Sequence, residues 1–190
     1  MSDIQKRLAA LPPEKRELLL RKLGKAAPAP RATIAPRPRG GSSFPLSFTQ
    51  QRLWFLDQLE PGSAFYNVPS VVKLTGPLEV DALAKSFRAL VCRHESLRTT
   101  FRTGVGGPEQ IISTESVTAL RQEDLSHLPA TDREAVAQRW AQEEARRPFS
   151  LEQGPLLRTT LVKLSEQESV LVLVMHHIVS DGWSMGIIVS

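Results

Sequence analysis

The chain has 190 residues, 41% of them hydrophobic and 23% charged, a mixture that excludes a disordered polymer, a collagen-like repeat and a disulfide-built miniprotein. The longest wholly apolar run, Val170 to Met175, is far shorter than the roughly 20 residues a membrane helix needs, and Met1 to Ala10 carries Asp3, Lys6 and Arg7 where a secretion signal needs apolar residues. The formal charge of +4 divides into +7 on residues 1–40, with ten Lys or Arg against three acids, and −3 on the rest, with 14 against 17; an acidic body with a basic tail speaks against nucleic-acid binding.

Pro12 and Pro13 split residues 1–23 into two short helical pieces, the second amphipathic through Leu18, Leu19, Leu20 and Leu23 and stopped by Gly24. Residues 24–43 are rich in Pro, Gly and Arg and read as a semi-rigid linker without a core. The folded body is expected over 44–190. Leu53, Leu56 and Leu59 predict a helix over 50–59, ended by Pro61-Gly62. A β-branched strand over 68–74 precedes an amphipathic helix from Val80 to His94, in which Cys92, the one cysteine, reads as a buried inert thiol. A single cysteine offers neither a disulfide framework nor a thiolate cluster for zinc, and a reducing cytoplasm is the expected setting.

Segments 97–102 and 109–113 flank a Gly-rich turn and predict a hairpin with a loop longer than the common two residues. Thr131 and Glu134 have capping-box spacing ahead of a helix that stops before Pro148. Segments 156–164 and 169–179 are strand-like, the second apolar on both faces and so expected at the centre of a sheet. Strands alternating with helices predict a mixed sheet packed with helices, an α/β chain. Trp54 and Trp140 read as packing anchors.

The chemistry-bearing segment is His176-His177-Ile178-Val179-Ser180-Asp181-Gly182, directly after that central strand. Along an extended strand the two imidazoles diverge, so one faces a cleft while the other is held in the core, and an imidazole is the side chain best matched to moving a proton near neutral pH. Asp181 stands where it could orient an imidazole or an arginine, and Gly182 permits close backbone approach. A hydrogen-bonded structural histidine fits the same pattern. A zinc site fits poorly, because adjacent strand histidines diverge and His94 and His127 have no chelating spacing; no metal is expected.

Three segments in order resemble the condensation domains of non-ribosomal peptide synthetases, relatives of chloramphenicol acetyltransferase: Leu46-Ser47-Phe48-Thr49-Gln50-Gln51-Arg52-Leu53-Trp54-Phe55-Leu56, Arg93-His94-Glu95-Ser96-Leu97-Arg98-Thr99-Thr100-Phe101, and the His176 to Gly182 segment. The resemblance implies a two-layer α+β lobe of the acetyltransferase type and an amide-forming reaction between two acyl chains, each thioester-linked to the 4'-phosphopantetheine of a donor or acceptor carrier protein. The chain itself is expected to bind no cofactor. His177 matches the family's catalytic histidine, acting as base toward the amine or as a positioning group. Asp181 is expected to pair with Arg98 in a structural role, His176 to pack and hydrogen-bond, and Gly182 to leave room for the substrate arm. Tyr66, in a family-like YNVP stretch, is a candidate for the acceptor side and Trp183 for the mouth of the site.

Family domains have two similar lobes, of which this chain would be the first, so it is expected to be a poor catalyst alone and to depend on a second lobe and an adenylation domain. Two alternatives remain open at this point: a non-catalytic module that docks carriers, its basic tail included, and a fragment of an epimerisation domain.

Overall fold

The computed structural model describes residue 12, residues 43–115 and residues 120–189; the helical pieces expected over 1–23 and nearly all of the linker expected over 24–43 lie outside the described residues. In chain order the elements are β1 (Ser43–Pro45), α1 (Phe48–Leu59), β2 (Asn67–Thr75), α2 (Val80–Arg93), a 3-10 turn (Glu95–Arg98), β3 (Thr99–Gly104), β4 (Gly107–Ile112), β5 (Leu120–Asp124), α3 (Ala130–Arg146), β6 (Leu157–Lys163), β7 (Glu168–His176) and α4 (Gly182–Val189). They form a mixed sheet in the order β2-β7-β6-β5, where only β5 and β6 run parallel, and a small antiparallel sheet in the order β1-β4-β3.

Strand β7 explains the architecture. It is flanked by β2 and β6 and its residues alternate between two apolar clusters. Val172 and Val174 meet Leu53 of α1, Ala141 of α3, Phe101, Phe149 and Leu151. Leu171, Leu173 and Met175 meet Phe87 and Val91 of α2 and Met185 of α4. Because successive side chains of a strand point to opposite faces, a continuous apolar run can serve only a strand covered on both sides, and helices do cover both faces here. Strand β2 is an edge, which is why it tolerates Pro69 and alternates half-buried Val72 and Leu74 with exposed Val71 and Lys73.

Several local expectations are corrected. The hairpin loop between β3 and β4 has two residues, Val105 and Gly106, with Gly104 opposite Gly107; Gly107, the first residue of β4, has a left-handed φ of 117° that a side chain would strain. Thr131 and Glu134 form no cap: α3 starts at Ala130, Thr131 donates to Asp132, and Glu134 is drawn to Lys73 at 2.8 Å. Cys92 is exposed, one residue off the stripe that buries Phe87 and Val91. Strand β7 ends at His176, earlier than the segment 169–179 suggested. No helix among the described residues is long and apolar enough to cross a membrane.

Candidate active site

The site is built where β7 stops. His176 is still a ladder residue, opposite Asn67 of β2, and its N–H donates to Leu156 O at 3.1 Å. His177 extends the pairing by one bond, its N–H donating to Tyr66 O at 2.8 Å, before the chain turns through Val179 N–H to His176 O and enters α4. Alternation along the strand therefore still governs the two rings: His176 is 2% exposed, whereas His177 is exposed.

The adjacent imidazoles carry opposite tautomers, set by their partners. His176 Nδ1 accepts the Ile178 N–H at 3.1 Å, which leaves its proton on Nε2. His177 Nδ1 lies 2.6 Å from Ser180 O; a carbonyl can only accept, so Nδ1 holds the proton and Nε2 is the basic atom. Burial, then the neighbouring His177, push His176 down to about 4, so it is neutral at physiological pH. Its ring packs against Phe149 at 6.2 Å, edge to face, and against Tyr66 at 6.3 Å. The neutral ring of His176 thus faces the core, and His177 presents the exposed ring of the pair.

His177 opens onto a groove of about 480 Å³ between the start of α1 and the turn into α4, lined by Ser47, Thr49, Gln50 and Leu53 on one side and by His177 to Asp181, Trp183 and Ser184 on the other. Both walls are helix starts. Ser47 caps α1 in a capping box: its hydroxyl accepts the Gln50 N–H at 3.2 Å while the Gln50 side chain accepts the Ser47 N–H at 2.9 Å. Asp181 does the same for α4, accepting the Ser184 N–H at 2.8 Å and its hydroxyl at 2.6 Å, while Ser184 Oγ accepts the Asp181 N–H at 2.8 Å. These bonds hold the Asp181 carboxyl below its ordinary value.

That geometry corrects the expected pairing of Asp181 with Arg98. Asp181 is exposed and bound to Ser184, while Arg98 donates to Ser113 O and lies 3.6 Å from Glu95; among the described residues no ion pair joins the two. The physical reason is proximity: the open N–H groups of α4 lie within one turn of Asp181 and claim its oxygens. Gly182 opens α4 with no atom of the described residues within 4 Å of where a Cβ would stand, so no neighbour among them requires its small size. Tyr66 supplies a carbonyl and a ring to the histidines from the buried side and is not among the described residues lining the groove; Trp183 lines it and is 81% exposed.

Sequence reading named the opening segment but not the residues in it that line the groove. The signal was present in Ser47-x-x-Gln50, a capping-box pattern just ahead of an apolar run. It also passed over a largely buried cation behind the site. Arg158 of β6 lies with its guanidinium 3.7 Å from the Phe149 ring centroid and its Nε 3.3 Å from Glu144 Oε2, an ion pair that misses hydrogen-bond geometry. Burial, then Arg147, bring Arg158 down to about 10 against the pull of Glu144, so it is cationic at neutral pH. Among the described residues no three His, Cys, Asp or Glu groups gather as a metal site would require.

Comparison with known proteins places these features. The model of the family described as the condensation domain matches residues 42–190. A linear gramicidin synthase protein of Brevibacillus parabrevis is 54% identical over 144 residues, 76% of this chain and 3% of the relative. Phosphinothricin tripeptide synthetase PhsC of Streptomyces viridochromogenes is 44% identical over 189 residues, 99% of this chain and 17% of the relative. Among solved structures, the starter condensation domain of rhizomide synthetase RzmA superposes with a TM-score of 0.73 at 28% identity, covering 78% of this chain and 36% of that one. The first condensation domain of the calcium-dependent antibiotic synthetase, in complex with a substrate analogue, gives 0.69 at 30% identity, covering 76% and 35%. The chain therefore spans a small part of these synthetases and about a third of the solved chains.

Proposed function

Because the chain belongs to the condensation-domain family, we propose that it provides the histidine-bearing lobe of a domain that joins two carrier-bound acyl chains by an amide bond in non-ribosomal peptide synthesis. The observation that carries this reading is the 2.6 Å contact of His177 Nδ1 with Ser180 O on a ring that borders a groove; since a carbonyl only accepts, the contact assigns the ring proton to Nδ1 and leaves the Nε2 lone pair for the amine. In the proposed reaction the amine of the acceptor attacks the thioester carbonyl of the donor. A C–N bond forms, the C–S bond breaks, Nε2 takes the proton lost by the amine, and the thiolate leaves on the donor's carrier.

The 4'-phosphopantetheine arms arrive with the donor and acceptor carrier proteins and supply the activated thioester. The groove suits such an arm: Ser47, Thr49 and Gln50 present hydroxyl and amide groups while Leu53 and Trp183 present apolar surface, and the open space over Gly182 leaves room for backbone approach. Asp181 and Ser47 act at one remove by capping the starts of their helices at the groove's walls. Confinement of both arms falls to the remainder of the domain together with this lobe, and bringing two tethered reactants together is worth as much as the proton transfer or more.

The test is to mix a loaded donor and a loaded acceptor carrier with this chain alone and with the complete domain, and to follow the dipeptidyl thioester. Product is expected from the complete domain, with little from the chain alone. His177→Ala in the complete domain is expected to slow turnover by about 10²–10⁴-fold. Near-normal turnover by that variant would remove the proton-transfer role. Failure of the complete wild-type domain with its cognate carriers would overturn the condensation reading altogether.

A further inference from the structure

The last carbonyls of a helix have no partner within it, and those of α3 are taken by side chains from two strands. Asn67 Nδ2 donates to Ala145 O at 2.7 Å and Arg147 O at 2.9 Å. Arg158 Nη2 donates to Glu144 O at 2.9 Å and Arg147 O at 2.6 Å, and its Nη1 to Pro148 O at 3.3 Å. The Glu144 carboxylate lies beside the same guanidinium, whose flat face covers the Phe149 ring. Phe149 in turn meets His176 edge to face at 87°.

Both clamps converge on the histidine pair. Asn67 stands opposite His176 in the ladder, and the residue before it accepts the His177 N–H. Arg158 reaches the pair through one ring, that of Phe149. Arg158 and Asn67 are absent from the groove's described lining, so any effect they have on chemistry passes through the histidines' backbone and packing. A need for stability alone does not explain a buried ion pair, since apolar groups of like volume often serve as well or better. A planar fork that binds three carbonyls and stacks on a ring at once supplies orientation that neither an apolar group nor a lysine can.

We propose that Arg158 is a positioning residue for the reaction, setting the angle of His176 through Phe149 and with it the direction in which His177 leaves the strand. The inference rests on the condensation reading above. It is tested in the complete domain with Arg158→Met and Arg158→Lys, read by kcat and KM for the loaded carriers and by the His177 ring resonances. Val162→Ala, in β6 but in a separate apolar cluster behind α3, serves as a control for simple loss of stability. Below the melting temperature of every variant, Arg158→Met is expected to lower kcat about 10-fold with KM unchanged and to shift the His177 resonances, while Val162→Ala keeps wild-type kcat. Arg158→Lys, which keeps the charge but loses the fork, is expected to recover stability more fully than kcat. Should Arg158→Met fail to fold, Arg158→Lys decides alone. Wild-type kcat in whichever Arg158 variant folds, or an equal loss in Val162→Ala, would overturn the proposal. An inactive wild-type domain would instead count against the condensation reading.

Discussion

The two sides of the histidine pair are held together in different ways. On the groove side the side-chain bonds are local, and exposed at the two caps: Ser47 to Gln50, His177 to Ser180 and Asp181 to Ser184 each span three residues. Behind the pair they reach across the fold, from Asn67 to Ala145 and Arg147 and from Arg158 back to Glu144, and the Glu144–Arg158 ion pair among them is largely buried. The lesson is a division of labour. The side that meets a ligand is kept in shape by short-range caps that cost little to form and leave room for a guest. The side that must not move draws on contacts that exist only once the whole domain has folded.

The comparison predicts that substitutions on the two sides fail differently. The largest effect is that of His177→Ala on turnover; because the ring is exposed, the melting temperature should be nearly unchanged, and a marked drop would show that the groove side is not locally held. Next comes Glu144, 8% exposed and within ion-pair distance of Arg121, Arg147 and Arg158. Glu144→Gln leaves Arg158 without its counter-charge and is expected to cost about 3 kcal/mol in urea unfolding, the lower end for a broken buried pair because three carbonyls still bind the guanidinium.

His176 makes the buried side sensitive to acid. Its folded value of about 4 lies below the ordinary 6.5, so the unfolded chain binds the extra proton between these two pH values. Stability conferred by the neutral ring is complete above pH 6.5 and falls as the pH drops toward 4. Unfolding midpoints of the wild type and His176→Phe, measured from about pH 7 to 4, should diverge in slope over that window; parallel curves would show that the ring is not buried neutral. The smallest effect is expected at the caps: Ser47→Ala should cost about 1 kcal/mol, and Asp181→Ala should lower the melting temperature slightly, far less than Glu144→Gln.

This division also separates what the sequence makes legible from what it hides. The buried run of β7, the amphipathic α2 and the divergence of the two imidazoles follow from periodicities of two and 3.6, which any single segment displays. The capping box at Ser47 was equally local and could have been read. Part of what sequence reading mistook depended on distant partners, and part on a nearer competitor. Thr131 and Glu134 have the spacing of a cap, but Lys73, far earlier in the chain, holds Glu134. The pairing expected between Arg98 and Asp181 lost to Ser184, three residues on in the first turn of α4. Strand β5 went unread because its sequence, Leu-Arg-Gln-Glu-Asp, has one apolar residue and becomes a strand only by lying parallel to β6. Arg158 looked like any surface arginine until β6, α3 and Phe149 closed around it.

The nine-pair ladder between β2 and β7 acts as a ruler for all of this. Side chains of a strand alternate with a period of two, so a slip by a single position inverts every one of them. Here it would also lift Asn67 off the end of α3 and take the Tyr66 carbonyl away from His177. An edge strand absent from the groove's described lining therefore measures out where the His177 ring stands, and insertions or deletions within Asn67–Thr75 are predicted to be as damaging as changes at the ring itself.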